Sequence, residues 1–397
     1  MNIVEIEDFF HPDTGYQINI LSKYLQKFGH QVTIITAELE KLPDSLTSFF
    51  GKENISERDR IYEDTYGVHI HRLPVKNYIS GRVIFTDDLL PTIRSYAPDI
   101  LFVHGCDTAT AMWALWNRKK IGCPLFSDCH MDITASTNRY APIFRQFYRT
   151  VMTPIIKKEH CYVPALGETR YAEHYLGIPR ELSPLIGFGS DEVLFHPDAS
   201  VRADFRREHG ISEDAFVALY AGKLDPYKDG QFLADLTCEH IGTQREIVYV
   251  IIGNTVGEYG KNVEKRFQES PYRLLRFPSQ KYCDLPRFFQ AADLALIPHQ
   301  ASLTLFDYNS TGLPVLAENN KGNLKRCGHG NGWVFQEKDI QDFKAKLEAI
   351  LALSKEEFQE VSNTAVAYIR KDFSYEKKAR EFENLLLETV SRSQRHK

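Results

Sequence analysis

A strand–helix–strand pattern at the start of the chain constrains the fold more than any other feature. Asn2–Glu7 is a short apolar strand, residues 16–28 carry apolar side chains at helical spacing, and residues 31–36 (QVTIIT) are apolar again. Two successive strands joined through a helix lie parallel in one sheet. The start of the chain therefore predicts an α/β fold built on a parallel sheet.

The same alternation of strands and helices continues along the rest of the chain. Further strands are predicted at residues 68–73, 100–103, 125–129, 161–166, 215–220, 247–252, 274–277, 294–297 and 315–317. Helices are predicted at residues 109–120, 140–156, 345–353 and 374–391, whereas residues 38–64 are polar and predicted to form a long loop. With a boundary near residue 190, the pattern predicts two doubly wound, Rossmann-like domains around a cleft.

Composition excludes several classes of protein. The formal net charge of -5 argues against a general nucleic-acid binder. The seven cysteines are scattered without a C-x-x-C pair, which excludes a zinc ribbon or thioredoxin motif and favours reduced thiols in a cytoplasm. The start MNIVEIEDFF does not look like a signal peptide, and no apolar run is long enough to span a bilayer. A cytoplasmic location is predicted.

The segment YAGKLDPYKDG, residues 220–230, predicts a phosphate site. It follows an apolar strand, and its glycine, Gly222, is followed by Lys223 and Lys228. Glycine lets the backbone approach an anion and lysines neutralise its charge, so the segment fits two linked phosphates. A solvated loop with two surface lysines is an equal alternative from these residues alone.

Two histidines stand just past predicted strands. His130 in SDCHMD and His104 in FVHGCD are placed to touch a ligand at the carboxyl edge of a sheet. His130 can donate a hydrogen bond, shuttle a proton or stabilise charge, or it can simply be a structural partner of an aspartate. A metal bound by His130 with Asp128 and Asp132 is disfavoured because no fourth ligand is in view.

Asp307 in LFDYNSTGLPVL lies near the start of a predicted helix. Its carboxylate can accept bonds from the two hydroxyls of a ribose, or it can be a helix N-terminal charge favoured by the macrodipole. Ser302 and Thr304 upstream can cap that helix or offer backbone amides to a phosphate.

Residues 140–156 combine an apolar helical stripe with basic residues off the stripe. The stripe runs from Tyr140 to Ile156, and the basic side chains lie within residues 139–158. The pattern is typical of a helix that covers a sheet and also fits an anionic membrane surface. Pro154 predicts a kink.

These segments together resemble family 4 of the GT-B glycosyltransferases over almost the whole chain. HPDTGY followed by GHQVTIIT is similar to the glycine turn and GH-x-V strand of the family, SDCHMD to its histidine loop, and IGFGSDEVLFHP to its interdomain signature. YAGKLDPYK, FFQAADLALIPH, LFDYNSTGLPVLAENN and the closing FSYEKKAREFENLLLETV resemble further motifs in the same order. The resemblance implies the GT-B fold: an acceptor-side domain 1–190 and a nucleotide-sugar domain 191–373 facing a central cleft, with helix 374–397 crossing back to the first domain.

The resemblance also implies roles for individual residues. Catalytic roles go to His130, which would face the donor sugar, and to Lys223 and Lys228, which would bind the donor diphosphate. The implied donor-binding residues are Gly15, Gly222, Lys223, Lys228, Gly253, Phe277, Pro278, Ser302, Thr304, Leu305 and Asp307. No metal or cofactor is expected, and the donor would be linked to UDP or GDP.

The acidic motif departs from the family pattern. The family has two glutamates with seven residues between them, but here Asp307 takes the second position, and counting back eight positions gives His299. Whether His299 or another residue replaces the first glutamate stays open. Lys223 replaces the commoner arginine and lacks its bidentate fork. Gly15 is followed by Tyr16 where the family has a pair of glycines.

The predicted function is a retaining, metal-independent glycosyltransferase of hexosyltransferase type, active in cell-surface polysaccharide or glycolipid synthesis. Its partners would be a nucleotide-sugar and a sugar or lipid-linked acceptor, with peripheral contact to the inner face of the membrane through residues 139–158 and no nucleic acid. Two alternatives are a catalytically inactive scaffold subunit, suggested by the missing glutamate, and a nucleotide-sugar epimerase on the same fold.

Overall fold

The chain forms two α/β units, each built around its own parallel sheet. The computed structural model describes residues 1–39, 51–79, 82–131, 139–167 and 169–395. One unit comprises Met1–Phe188 together with Glu376–Lys397, and the other comprises Gly189–Tyr375. The predicted α/β class with parallel sheets in two domains is confirmed.

Unit 1 contains a five-stranded parallel sheet and a separate hairpin. Its strands are β1 Asn2–Glu7, β2 Gln31–Ala37, β3 His69–Leu73, β4 Val75–Ile79, β5 Arg82–Phe85, β6 Ile100–Val103 and β7 Leu125–Ser127. The sheet order is β3-β2-β1-β6-β7, and every pair is parallel. Strands β4 and β5 pair antiparallel. The chain reverses its direction of winding between β1 and β6, where doubly wound sheets bind ligands.

Helices flank the sheet of unit 1. They are α1 Gln17–Lys27, α2 Ile55–Tyr66, α3 Leu89–Ser95, α4 Ala109–Ile121, α5 Ala141–Phe147, α6 Thr153–Glu159 and α7 Tyr171–His174. β1 and β6 are buried on both faces, as the apolar run of β6 predicts for a parallel sheet covered by helices.

Helix α2 corrects the prediction of a continuous loop over residues 38–64. Residues 40–50 lie outside the described residues, but Ile55–Tyr66 is helical. Ile55, Asp59 and Tyr62 are its buried residues, and the Tyr62 hydroxyl donates to the carbonyl oxygen of Asn19 at 2.7 Å. Two of the three buried residues carry polar groups satisfied by tertiary partners, so apolar periodicity could not reveal this helix.

The predicted strand over residues 161–166 is also corrected. The segment forms only isolated bridges, in which Ala165 pairs with Cys129 and with Leu185. Pro164 has no backbone N–H to donate, which limits ladder formation at that residue.

The predicted helix over residues 140–156 is interrupted rather than uniform. Between α5 and α6 lies a π-helical turn, Tyr148–Met152. Pro154 follows in the first turn of α6 and cannot donate a helical backbone bond, which is consistent with the predicted irregularity. Tyr148, Met152 and Ile156 are buried, whereas Tyr140 and Ile143 are exposed. The second half of the apolar stripe therefore packs in the interior, and its start faces solvent.

Unit 2 is built on a six-stranded parallel sheet. Its strands are β8 Phe216–Ala221, β9 Ile247–Ile252, β10 Arg273–Phe277, β11 Leu294–Ile297, β12 Val315–Glu318 and β13 Gly332–Phe335. The order β10-β9-β8-β11-β12-β13 is that of a doubly wound nucleotide-binding fold, with its switch point between β8 and β11.

The core of unit 2 lies between the sheet and its helices. Buried members include Leu233 of the helix after β8 and Phe343 of a helix near the end of the unit. The helices are α8 Ala199–Glu208, α9 Gly230–Thr237, α10 Gly257–Gln268, α11 Leu285–Ala291, α12 Thr304–Ser310, α13 Lys321–Cys327, α14 Ile340–Leu351 and α15 Lys355–Tyr368. A last helix, α16 Tyr375–Arg395, supplies the closing segment of unit 1.

Candidate functional site

Two glycines lie at the carboxyl ends of neighbouring strands in unit 2. Gly222 follows β8 and donates its N–H to the carbonyl oxygen of Ile252, and Gly253 follows β9 and donates to that of Phe277. Gly253 has φ +148°, a conformation that residues with a Cβ rarely adopt. The predicted donor-binding glycines Gly222 and Gly253 therefore lie side by side at the edge of the sheet.

The two predicted phosphate lysines extend from the loop after Gly222. Lys223 is exposed, and Lys228 is partly buried with its Nζ 3.4 Å from the carbonyl oxygen of Ala301. Burial lowers the pKa of the Lys228 amine; Asp225 opposes this change, while Arg326 and Lys223 add to it. Lys223 and Arg326 thus both lie close enough to Lys228 to influence it. An anion bound here would offset their repulsion.

Asp307 lies in the interior of unit 2. Its Oδ1 accepts a hydrogen bond from Ser190 Oγ at 2.7 Å and lies 3.5 Å from the hydroxyl of Tyr282. Burial raises the pKa of Asp307 to about 7, helped by the neighbouring Asp191 and opposed by the Ser190 bond. A ribose hydroxyl that donated to Oδ1 would compete with Ser190 and Tyr282 for that oxygen.

Other predicted donor-binding residues have structural partners. Ser302 Oγ donates to Thr304 Oγ1 at 3.0 Å and accepts from the Thr304 N–H, so it closes the first turn of α12. Leu305 is fully buried and its N–H donates to the Ser302 carbonyl. Phe277 packs its ring against Phe288 with centroids 5.0 Å apart. The next residue, Pro278, is exposed.

The carboxyl edge of the unit 1 sheet brings together ionisable groups from three strands. Asp128, directly after β7, is fully buried; its Oδ2 lies 3.1 Å from His104 Nδ1 and 3.0 Å from His130 Nε2. Glu5 and Glu7 of β1 lie close enough to His104 to interact with it electrostatically. Gly15 occupies the loop between β1 and α1.

The same cluster tests the metal alternative for His130. Asp132 lies outside the described residues, and His104 joins His130 and Asp128 instead, with one potential ligand atom of each within 4.8 Å of the others. Hydrogen bonds from both rings to Asp128 Oδ2 account for this geometry without a metal ion.

Comparison with known proteins identifies the family. A family model described as "Glycosyl transferase 4-like domain" matches residues 15–181, and one described as "Glycosyl transferases group 1" matches residues 201–367. The chain belongs to the family 4-like glycosyltransferases. The family resemblance predicted from the sequence motifs is confirmed.

Individual relatives agree with this glycosyltransferase assignment. The D-inositol 3-phosphate glycosyltransferase of Geodermatophilus obscurus is 26% identical over 193 residues, which cover 45% of this chain and 42% of the relative. The chain thus matches less than half the length of that relative. A glycosyltransferase of Rickettsia africae superposes with a TM-score of 0.72 at 13% identity, covering 98% of both chains. Anabaena HepE, solved with UDP and glucose, gives 0.70 at 15% identity, covering 98% of this chain and 100% of that one. These structures establish the GT-B fold.

His299 of this glycosyltransferase has a buried carboxylate partner that the sequence motifs did not reveal. Its Nδ1 donates to Glu318 Oε2 at 2.7 Å, and Glu318 is fully buried at the end of β12. Asn320 and Asn323 donate to the carbonyl oxygen of His299 and fix its backbone. His299 lines a small pocket with Gly222 and Lys228.

Arg326 is a second residue at this edge that sequence reasoning missed. Its Nη1 donates to the carbonyl oxygen of Ser302 at 3.0 Å, and its guanidinium lies over the ring of Phe306. It lies on α13, about a hundred residues beyond the lysines, and only the order of the sheet brings it near them. The sole local signal was a basic pair, Lys325-Arg326, at the end of a helix, which the macrodipole explains equally well.

Proposed function

We propose that this protein transfers a sugar from a nucleotide diphosphate donor to a hydroxyl acceptor, with retention of configuration. The observation that carries the proposal is the group of cations around Lys228, which interacts with Lys223 and Arg326 and lines a pocket with Gly222. Positive charges beside the departing diphosphate would stabilise the negative charge that develops on it. Electrostatic stabilisation of this kind is usually the largest single contribution to catalysis. Family membership supplies the reaction class, and the bound UDP of HepE illustrates the kind of donor.

The chain's own residues would divide the task between the two units. In unit 2, the glycine backbone would admit the diphosphate, and the three cations would hold it. Ser190 and Tyr282 already contact Oδ1 of Asp307, so we expect a weaker contribution to donor binding from Asp307 than from the lysines. In unit 1, His130 would contact the sugar near its reacting carbon. We propose that no metal ion is required for transfer.

Isothermal titration with UDP and GDP tests the diphosphate site. We expect one of the two to bind, and we expect Lys223→Ala and Lys228→Ala each to weaken that binding about tenfold, the effect of losing one charge-assisted contact. Lys355→Ala, which removes an exposed lysine at the start of α15, is the matched control. Binding that survives both site substitutions would refute the assignment.

Activity assays separate this function from its alternatives. A thermal-shift screen of nucleotide-sugars identifies the donor, since a tight ligand stabilises the folded state by mass action. Incubation with that donor and candidate acceptors should then release the nucleoside diphosphate. A folded protein that binds neither UDP nor GDP would instead be a scaffold, and an isomerised sugar without transfer would indicate an epimerase.

We further propose that α5 contacts an anionic membrane surface that carries a lipid-linked acceptor. Tyr140, Ile143 and Phe147 are 55%, 69% and 42% exposed and lie at helical spacing. Lys157 and Lys158 at the end of α6 are also exposed and supply positive charge. Within the described residues, no helix combines the length and hydropathy needed to cross a bilayer.

Vesicle sedimentation tests this surface in the full chain. We expect binding to phosphatidylglycerol-containing vesicles, little binding to pure phosphatidylcholine, and a loss of binding in Ile143→Glu. Ile61→Glu, at a comparably exposed isoleucine of α2, is the matched control. Equal sedimentation of Ile143→Glu and the unsubstituted protein would exclude α5 as the contact.

A further inference from the structure

The carboxylate of Asp128 is held rigidly at the edge of the unit 1 sheet. Its Oδ1 accepts the N–H of Gly105 at 2.7 Å, and its Oδ2 accepts from His104 Nδ1 and from His130 Nε2. Asp128 has no exposed surface. Burial raises the pKa of Asp128, but His130 and His104 outweigh burial and keep the pKa well below its usual range. The carboxylate is therefore charged and has little freedom to rotate.

The groups that surround His104 help to hold the Asp128 carboxylate in place. His104 is stacked on Phe102 with ring centroids 4.0 Å apart, and its Nε2 lies 4.0 Å from Glu5 Oε1. Neither of these two buried atoms has a hydrogen-bond partner within the described part of the chain. Ser22 donates to the other oxygen of Glu5. His104 is thus held by the stack on Phe102 and by the Nδ1 bond to Asp128, which restricts the orientation of Asp128.

His130 is the member of this group that reaches solvent. Its side chain is 37% exposed, whereas those of Asp128 and His104 are at most 1% exposed. Because Nε2 is bonded to Asp128, Nδ1 is the ring nitrogen left for a ligand. A neutral ring would present Nδ1 as a hydrogen-bond acceptor, and a protonated ring would present it as a donor.

The groups around His130 decide between these two forms. The facing groups are Asp128 and Cys129 after β7, Glu7 of β1 and His104 after β6. Burial lowers the pKa of His130, but Asp128 and Glu7 outweigh that effect and raise the pKa to about 9. Near neutral pH Glu7 is only partly charged, because burial raises its own pKa to about 7. Its effect on the pKa of His130 is therefore only partial at that pH.

We propose that Asp128 is a positioning residue that keeps His130 in its charged form, so that Nδ1–H is offered to a ligand oxygen as a hydrogen-bond donor. The inference rests on the proposed function and narrows it: His130 stabilises negative charge on the donor and does not take the proton of the acceptor hydroxyl. The ligand group it fits is an oxygen that carries or gains negative charge during transfer.

An NMR titration of the full chain labelled at histidine tests the charge state without any substrate. His130 is assigned by the signal missing from His130→Gln. We expect its pKa to lie near 9 in the unsubstituted protein and to fall to about 7 or below in Asp128→Asn, which removes the charge and keeps the shape. His130 titrating near 6.5 in the unsubstituted protein would overturn the proposal by itself, so the test survives even if Asp128→Asn fails to fold.

Transfer kinetics supply the functional counterpart. At pH 8, a pKa of about 7 leaves about a tenth of His130 charged, so kcat of Asp128→Asn should fall about tenfold and recover toward pH 6. Nucleoside diphosphate affinity should not change, because that site lies in unit 2. Asp204→Asn, at an exposed aspartate of α8, is the control. A pH-independent loss of kcat would indicate a purely structural role and refute the proposal. If the unsubstituted protein neither bound UDP or GDP nor transferred sugar, the proposed function would fail while the NMR result stood.

Discussion

A Cβ atom on Gly253 would lie 2.0 Å from the carbonyl oxygen of Gly222. At this point the two loops that form the phosphate edge of unit 2 therefore touch backbone to backbone. We expect Gly253→Ala to cost about 3 kcal/mol of unfolding free energy, from overpacking and from the unfavourable φ together. Urea unfolding of the purified variant measures this cost.

The matched control for Gly253→Ala is Gly210→Ala. Gly210 also has positive φ, but its nearest neighbouring atom would lie 4.0 Å from the new Cβ. Its cost should be limited to the backbone penalty of about 1 kcal/mol. Equal costs at the two positions would mean that the loops can separate without penalty.

We expect Arg326→Ala to weaken nucleoside diphosphate binding about fivefold, because it removes one of three cations. A nucleoside monophosphate should lose less affinity, since it presents less charge to the cluster. Isothermal titration at low and high salt measures both effects. Thermal unfolding of the variant separates lost affinity from the lost Ser302 and Phe306 contacts. An unchanged diphosphate affinity would remove Arg326 from the site.

We expect His299 to affect the binding of the donor's sugar more than that of its diphosphate, because the proposed cations already hold the diphosphate. Glu318 holds the His299 ring in place beside Lys228. We expect His299→Ala to leave UDP or GDP affinity within twofold and to reduce affinity for the matching nucleotide-sugar about fivefold, the loss of about one hydrogen bond. His240→Ala, a histidine of unit 2 outside this pocket, is the comparison. Equal losses for the diphosphate and the nucleotide-sugar would contradict a sugar-specific role.

Asp307 should make stability depend on pH. Because the pKa is raised from 3.8 to about 7 in the folded state, the folded protein retains a proton that the unfolded chain releases. Stability is therefore lost as pH rises through this window, by no more than about 4 kcal/mol. Asp307→Asn removes the titration, so its unfolding free energy relative to the unsubstituted protein should be higher at pH 8 than at pH 5. A difference that does not vary with pH would show that Asp307 does not titrate there.

The parallel sheets were predictable from the sequence because strands buried on both faces are continuous apolar runs. β8 and β9 are examples, and each is followed directly by a glycine. Helix α2 was not predictable, because tertiary contacts hold it: Asp59 pairs with Arg72 at 2.6 Å. The hairpin of β4 and β5 was also not predicted, since each strand is only a few residues long.

The candidate site was predictable where chemistry follows a strand directly. His130, Lys223 and Lys228 all stand just beyond strand ends, so local order indicated them. Glu318 and Arg326 belong to other strands and helices of the same sheet, and their pairing with His299 and Lys228 depends on strand order. Strand order is set by packing of the whole unit, which motif spacing does not encode.

Unit 1 is assembled from two stretches of sequence that are far apart. Phe382 of α16 is fully buried and stacks on Phe102, and Glu383 bonds to His30 at 2.8 Å. During synthesis, Phe102 and His30 cannot make these contacts until residues 376–395 have left the ribosome. Unit 2 is continuous in sequence, so all of it is synthesised earlier. The second unit to be translated can therefore finish folding before the first, and the histidine-bearing edge is the last part of the protein to acquire its full support.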